Sequence, residues 1–305
     1  MEYLLLIVGI ALLVVGGDFL VKSAVGLANK FNLSPLLIGI TVVSFGTSAP
    51  ELIVSIQATL DGSPGIAIGN VLGSNIANIG LVLGLTVSLR SVIINRKKYF
   101  TSWLIMFISS IMFYGFSLDG EIGKTEGLFF LAGLLAFITI SISSLSKGHD
   151  SNENKITMHP LMIIMFFLLG ALGLYFGSEL LISNAVEIAY SIGVSEFIIG
   201  ATVVALGTSL PELATSLIAV LRGQNSISIG NLLGSNVFNI FAVLGITSLV
   251  QPIPVDIFLL YVDLPVMIGI VIMLGLFMFI GKRMGIIEGL ALILAYVIYI
   301  SYSLF

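Results

Sequence analysis

Apolar stretches of about 20 residues recur along the whole chain, separated by short polar breaks. Each stretch is long enough to cross the hydrocarbon core of a bilayer as an α-helix. Only 9% of the 305 residues are charged and 58% are hydrophobic, whereas a soluble domain keeps about a quarter of its residues charged. The sequence therefore predicts an all-α polytopic membrane protein whose main surroundings are the lipid bilayer.

The apolar stretches and the punctuation between them predict ten transmembrane helices. A polar connection at 146–159 lies near the midpoint, so we expect a cytoplasmic hinge loop there between a first five-helix half, 1–145, and a second, 160–305. The predicted spans are 3–28, 35–59, 65–88, 99–117, 125–145, 160–189, 196–220, 226–249, 257–280 and 285–304.

The two halves are copies of each other. Gly16 aligns with Gly177 and Ile79 with Ile240 without a gap, a constant shift of 161 residues. Eleven of seventeen positions are identical between 39–55 and 200–216, and ten of fourteen between 66–79 and 227–240. Polar residues match in register, which shared lipid-facing hydrophobicity does not explain, so the motif regions 39–79 and 200–240 are expected to be equivalent.

An odd number of spans in each half places the second copy upside down in the membrane, which predicts two inverted-topology repeats. The distribution of basic residues supports this arrangement, because eleven of the twelve fall on the inner side when the N-terminus is outside and only Lys124 falls outside. We therefore expect a multi-pass protein of the cell membrane with both termini extracellular. The inner residues are Lys22, Lys30, Arg90, Arg96, Lys97, Lys98, Lys147, Lys155, Arg222, Lys282 and Arg283.

Several classes of function lack support in the sequence. Cysteine is absent, which excludes disulfides and thiolate metal sites. No Walker loop, nucleophile elbow or dinucleotide fingerprint occurs, so we predict neither an enzyme nor a cofactor. The chain has no basic stripe that would suit nucleic acid, and no obligatory protein partner is evident.

Two acids lie in the middle of predicted spans, where a carboxylate costs about 2.5 to 3.5 kcal/mol on insertion scales. Inverted symmetry would bring Glu51 and Glu212 together near the midplane, where their charges repel unless a proton or a cation intervenes. By contrast, Asp18 and Lys22 are one turn apart and predict a mutually neutralising pair near the inner face. A divalent cation would satisfy Glu51 and Glu212.

Other oxygen-bearing side chains share faces with these acids at helical spacing. Hydroxyl, amide and carboxylate oxygens without sulfur or imidazole favour hard cations such as sodium and calcium. Any single hydroxyl can instead bond to its own helix and be structural. The residues are Thr47, Ser55, Ser74 and Asn78, with their copies Thr208, Ser216, Ser235 and Asn239.

Proline and glycine accompany the acids in both copies. Pro50 and Pro211 lack an N–H, which predicts broken helices with free carbonyls near the midplane. The glycine pairs Gly69/Gly73 and Gly230/Gly234 are expected to let the two polar spans within each half approach closely.

The motifs Gly-Thr-Ser-Ala-Pro-Glu at 46–51, Gly-Thr-Ser-Leu-Pro-Glu at 207–212 and the two Gly-Ser-Asn-x-x-Asn blocks resemble the alpha-repeats of the sodium/calcium exchanger family, and the likeness covers essentially the whole chain. The resemblance implies an antiporter that exchanges calcium for sodium by alternating access, with the first and sixth spans sliding across the other eight. It also implies a calcium site of Glu51 and Glu212 with the backbone carbonyls of Thr47 and Thr208.

The resemblance implies sodium sites on either side of the calcium site. It also implies that two asparagines complete the centre of this group of ion sites. Some members of the family have an aspartate at the position of Asn239. Potassium-dependent relatives resemble one another in having acids at both asparagine positions, so Asn78 and Asn239 argue against potassium cotransport. A proton-coupled calcium exchanger remains an alternative, although its usual Gly-Asn-x-x-Glu motif is absent. The implied residues are Thr47, Ser48, Ser74, Thr208, Ser209 and Ser235, the backbone oxygens of Ser44 and Ala205, and the side chains of Asn78 and Asn239.

Overall fold

The computed structural model describes residues 2–145, 158–191 and 207–304, which are almost entirely helical. Nine of the described helices are long and apolar enough to cross a membrane. The seventh predicted span is described only from residue 207, so its first half lies outside the described residues, as does most of the predicted hinge loop. The helices are α1 (Glu2–Phe31), α2 (Pro35–Leu60), α3 (Pro64–Leu89), α4 (Arg96–Phe116), α5 (Lys124–Leu145), α6 (Pro160–Ser191), α7 (Leu210–Leu221), α8 (Asn225–Val250), α9 (Leu259–Ile280) and α10 (Ile286–Leu304).

The short loop strands provide a direct test of the inversion. Strand β1 (Val92–Ile93) pairs with β4 (Arg283–Met284), and β2 (Glu121–Ile122) pairs with β3 (Ile253–Pro254). A single crossing helix, α4, separates β1 from β2, so the two small sheets lie on opposite faces of the membrane domain. The 161-residue shift makes β1 equivalent to β3. Equivalent loops therefore lie on opposite faces, which confirms the two inverted repeats.

Burial places α3 and α8 at the centre of the protein. Their most apolar windows are 72% and 83% buried, against 17% for α5 and α10. The polar central helices are thus enclosed by protein, while α5 and α10 face the lipid. Each central helix also contains a π-helical segment, Asn78–Leu83 in α3 and Asn239–Leu244 in α8, at equivalent positions. Such segments occur frequently at functional sites because they redirect side chains.

Helices α1 and α6 are the longest, with 30 and 32 residues, or about 45 Å each. They pack together through glycines: a Cβ at Gly16 would lie 2.8 Å from the backbone nitrogen of Leu174, and one at Gly177 would lie 2.8 Å from that of Leu13. Backbones approach this closely only where a side chain is missing. The two helices therefore form a tightly joined pair.

The glycines of α8 have a different partner from the predicted one. A Cβ at Gly230 would lie 2.8 Å from the carbonyl oxygen of Leu36, and one at Gly234 would lie 2.9 Å from the carbonyl carbon of Ile40. Both neighbours belong to α2, in the opposite half. The prediction that these glycines join the polar spans within one half is therefore wrong for this copy, because the inverted halves interlock at the centre.

Candidate ion-binding site

The two intramembrane glutamates converge, as their symmetric positions predict. Glu51 on α2 and Glu212 on α7 are both completely buried. The hydroxyl of Ser48, one turn before Glu51, donates a hydrogen bond of 3.1 Å to Oε1 of Glu212. Since Ser48 and Glu51 share one face of α2, this bond brings the two carboxyl groups to one region.

Most of the carboxylate oxygens in this region lack a hydrogen-bond partner. Both oxygens of Glu51 and Oε2 of Glu212 are buried with none among the described residues. An unsatisfied buried polar group costs about 1 to 3 kcal/mol, and more when it is charged. Two adjacent acids with three of their four oxygens unpaired within the described part of the chain therefore suit a site that a cation completes.

Two hydroxyl pairs surround the acids and are related by the internal symmetry. Thr47 lies 3.2 Å from Ser235, and its copy Thr208 lies 3.3 Å from Ser74, measured between hydroxyl oxygens. Each pair joins one half of the protein to the other. The hydroxyls of Thr47 and Ser235 also lie beside the carboxyl group of Glu212.

Further buried oxygens complete the set. Asn78 has neither amide atom paired among the described residues, and Oδ1 of Asn239 and Oγ of Ser209 are also unpaired. Neutral amide and hydroxyl oxygens beside carboxylates form a hard donor set, which suits sodium and calcium. Among the described residues the site contains two carboxylates, fewer than the acidic clusters of high-affinity calcium sites, and this composition favours release as well as binding.

Of the other residues that the resemblance implies, Ser44 is enclosed and uses its hydroxyl within its own helix, donating to the carbonyls of Gly39 and Ile40. Its backbone oxygen lies 3.3 Å from the hydroxyl of Thr47. Ala205 lies outside the described residues. Whether the individual oxygens bind an ion stays a prediction.

Sequence reasoning placed Ser55 and Ser216 on the acid face but did not identify the asparagines that bind them. Asn70 donates to the hydroxyl of Ser55 at 3.0 Å, and its copy Asn231 donates to Ser216 at 3.1 Å. These serines are therefore engaged in helix–helix contacts. The signal was available, since both asparagines recur in the duplicated Gly-Asn segments.

These asparagines also reach the site itself. Asn70 donates to the backbone carbonyl of Glu51 at 3.2 Å, and Oδ1 of Asn231 accepts a 3.0 Å hydrogen bond from Thr47. A third asparagine that sequence reasoning missed, Asn75, accepts from the amide of Asn239 at 3.2 Å. Each fixes a group that lines the acidic region.

The predicted helix breaks are present in only one of the two described copies. Helix α7 starts at Leu210, immediately after a turn at Thr208 and Ser209. In α2, however, the α-helical segment Ser44–Leu60 continues through Pro50, so the prediction of a broken helix is wrong there. The proline removes one backbone hydrogen bond without ending the helix.

Comparisons with known proteins agree with this geometry. The family model described as sodium/calcium exchanger protein matches residues 1–143 and 162–305. The sodium/calcium exchanger MaX1 of Methanosarcina acetivorans is 30% identical over 98% of this chain and 97% of its own length. The inner membrane protein YrbG of Escherichia coli is 35% identical over 83% of this chain and 81% of its own length.

The fold has a close counterpart among solved structures. A structure of the sodium-calcium exchanger NCX_Mj superposes with a TM-score of 0.86 at 31% identity and covers 99% of this chain and 98% of that one. MaX1 and NCX_Mj are named as exchangers, which are transporters rather than enzymes. Because the family model spans nearly the whole chain, both repeats included, the chain belongs to the sodium/calcium exchanger family.

Proposed function

We propose that this protein is a secondary antiporter of the cell membrane that exchanges calcium for sodium, with both ions as its transported cargo. The observation that carries the proposal is the convergence of two fully buried carboxyl groups, three of whose oxygens lack a described hydrogen-bond partner. The similarity to MaX1 and to NCX_Mj, both named as sodium/calcium exchangers, supports the choice of ions.

Competition for one set of oxygens couples the two fluxes. Two carboxylates balance the charge of one calcium ion, and sodium ions replace it by using the same acids and the neighbouring hydroxyls. The empty site leaves Glu51 and Glu212 repelling each other, so only loaded forms change conformation readily. If more than two sodium ions replace one calcium, each cycle moves net charge and responds to membrane potential.

The moving element in this proposal is the α1–α6 pair, which is packed unequally against the two halves. On the inner side, a Cβ at Gly17 of α1 would lie 2.8 Å from the side chain of Ile218 on α7. The equivalent of Ile218 is Gln57 on α2, which is exposed, and Ile53 one turn earlier is 53% exposed. This asymmetry is what we expect of one of two conformations. In the other, the α1–α6 pair has moved so that it covers α2 instead of α7.

A network of charged residues fastens α1 in this position. Asp18 pairs with Lys22, 2.9 Å away on the same helix, as predicted, and also with Arg222 at the end of α7. The equivalents of Asp18 and Arg222 are Glu179 and Asp61, two acids that cannot form an ion pair. The inner contact is therefore attractive, whereas the two equivalent acids offer no such attraction.

Removing the link between α1 and α7 is expected to shift the protein toward the other conformation. A partly exposed ion pair contributes up to about 1 kcal/mol, so Arg222→Ala should change the populations by as much as about fivefold. The chain has no cysteine, so Ile53→Cys provides a single labelling site. We expect Arg222→Ala to slow its reaction with an impermeant maleimide, because Ile53 becomes covered.

The matched control for this experiment is Lys22→Ala, which removes a partner of Asp18 but leaves the α1–α7 link intact. It should not slow labelling, and the charge exchange Asp18→Arg with Arg222→Asp should restore the original rate. Equal slowing by Lys22→Ala and Arg222→Ala would contradict a role for the inter-helix bond.

Sodium coupling has its own test in proteoliposomes. With sodium inside and none outside, we expect uptake of radioactive calcium to rise at least about tenfold over a potassium-loaded control, since the outward sodium gradient supplies the driving force. Calcium uptake that follows an imposed pH gradient and ignores sodium would instead identify a proton-coupled exchanger. Flux without any counter-ion would identify a channel.

A further inference from the structure

Asn75 on α3 contacts α8 at two points in the centre of the protein. Its amide nitrogen donates to the backbone carbonyl of Asn236 at 3.3 Å and lies 3.8 Å from the sulfur of Met267 on α9. Its amide oxygen accepts a 3.2 Å hydrogen bond from the amide nitrogen of Asn239. Asn75 and Asn239 are both fully buried.

These contacts determine which way each amide faces. A backbone carbonyl and a thioether sulfur can only accept, so the nitrogen of Asn75 must be the atom beside them. The oxygen of Asn75 then faces Asn239, which must present its own nitrogen in return. As a result, Oδ1 of Asn239 points away from Asn75, and it has no hydrogen-bond partner among the described residues.

We propose that Asn75 is a positioning residue that holds the amide of Asn239 so that its oxygen, and not its nitrogen, faces the transported ion. The inference rests on the proposed ion exchange and deepens it. An unrestrained asparagine could rotate and present its N–H groups to the site. Those groups carry partial positive charge and repel a cation, so the orientation of Asn239 affects affinity directly.

The equivalent contacts in the other half do not form. Asn236, the copy of Asn75, donates its amide nitrogen to the carbonyl of Leu232 on its own helix at 2.8 Å. Asn78, the copy of Asn239, is unpaired at both amide atoms among the described residues. The positioning is therefore specific to Asn239, and Asn236 is a matched control with the same side chain and nearly the same burial.

The experiment uses the difference between an amide and a carboxylate. Asn75→Leu removes both contacts at nearly constant volume and should weaken calcium binding to the purified protein by about 10- to 100-fold, the usual effect of losing a partner that orients a metal ligand. A carboxylate in place of the Asn239 amide has two oxygens and needs no such orientation. In the Asn239→Asp background, Asn75→Leu should therefore cost less than about threefold.

The outcomes separate positioning from a structural role. Equal losses with and without the Asn239→Asp substitution would mean that Asn75 only supports the helix packing, and no loss in either background would also overturn the proposal. Asn236→Leu should retain binding within about threefold, because the backbone carbonyl that Asn75 uses stays in place. Should Asn75→Leu unfold, Asn75→Ser provides the same comparison, since its hydroxyl is too short to bridge Asn236 and Asn239.

Calcium binding by the unmodified protein, measured by equilibrium dialysis with radioactive calcium, reports on the proposed function. The difference between the two backgrounds reports on the positioning. If the unmodified protein does not bind calcium, the proposed function fails. If it binds calcium but the two backgrounds lose equal affinity, only the positioning role of Asn75 fails.

Discussion

Glu51→Gln is expected to reduce sodium-driven calcium uptake by at least about 100-fold. The substitution keeps the size of the side chain and removes one of the two charges that balance calcium. Removing one member of a buried, compensated set of charges costs about 3 kcal/mol or more, which corresponds to about 100-fold in affinity. Glu212→Gln should have a similar effect, since both acids are completely buried.

Uptake of radioactive calcium into proteoliposomes measures the effect, and Asp263→Asn is the matched control. Asp263 is another acid of a membrane span, only 5% exposed, and its carboxyl group lies beside the Tyr299 side chain on α10. Its substitution should leave uptake within about threefold of the unmodified protein, because no charge is lost from the site. Sodium-driven uptake that survives Glu51→Gln would remove the basis of the proposed mechanism.

The internal duplication was the basis for predicting both the inverted halves and the position of the two acids. Once Glu51 and Glu212 were known to be copies separated by an odd number of spans, their convergence followed from symmetry, and the pairing of Val92 with Met284 agrees with that inversion. The acids were recognisable because a charge inside a membrane span is rare and needs a specific explanation.

The asparagines show where such reasoning stops. An amide is both donor and acceptor, so its sequence position does not reveal whether its oxygen faces an ion or a neighbouring helix. Asn75 and Asn236 occupy the same position of the duplicated Gly-Ser-Asn-x-x-Asn motif, yet one reaches across to α8 and the other bonds to its own helix. Only the relative placement of helices decides between these arrangements.

Helix–helix approach depends on placement in the same way. The Gly-x-x-x-Gly spacing indicates that a backbone comes close, but it does not identify which helix approaches. Both Gly230 and Gly234 face α2 of the opposite half. The same inverted arrangement that joins the two acids thus also determines which backbones must fit together.

This close fit leads to the second large effect, for Gly234→Val. A Cβ at this position would lie 2.9 Å from the carbonyl carbon of Ile40 and would also meet the hydroxyl of Ser44. Backbone atoms of a buried helix cannot move aside easily, so we expect a loss of about 3 kcal/mol in the free energy of unfolding. For a domain of this size, that loss lowers the melting temperature by roughly 6 °C.

Separation of α2 from α8 should also disturb the site, because Thr47 and Ser235 connect the same two helices at 3.2 Å. We therefore expect Gly234→Val to weaken calcium binding together with thermal stability, both measured on purified protein. Gly269→Val is the control, since Gly269 is an exposed residue within α9 whose Cβ would meet no described atom within 4 Å. If the two variants melt at the same temperature and bind calcium equally well, the close contact between α2 and α8 does not support the site.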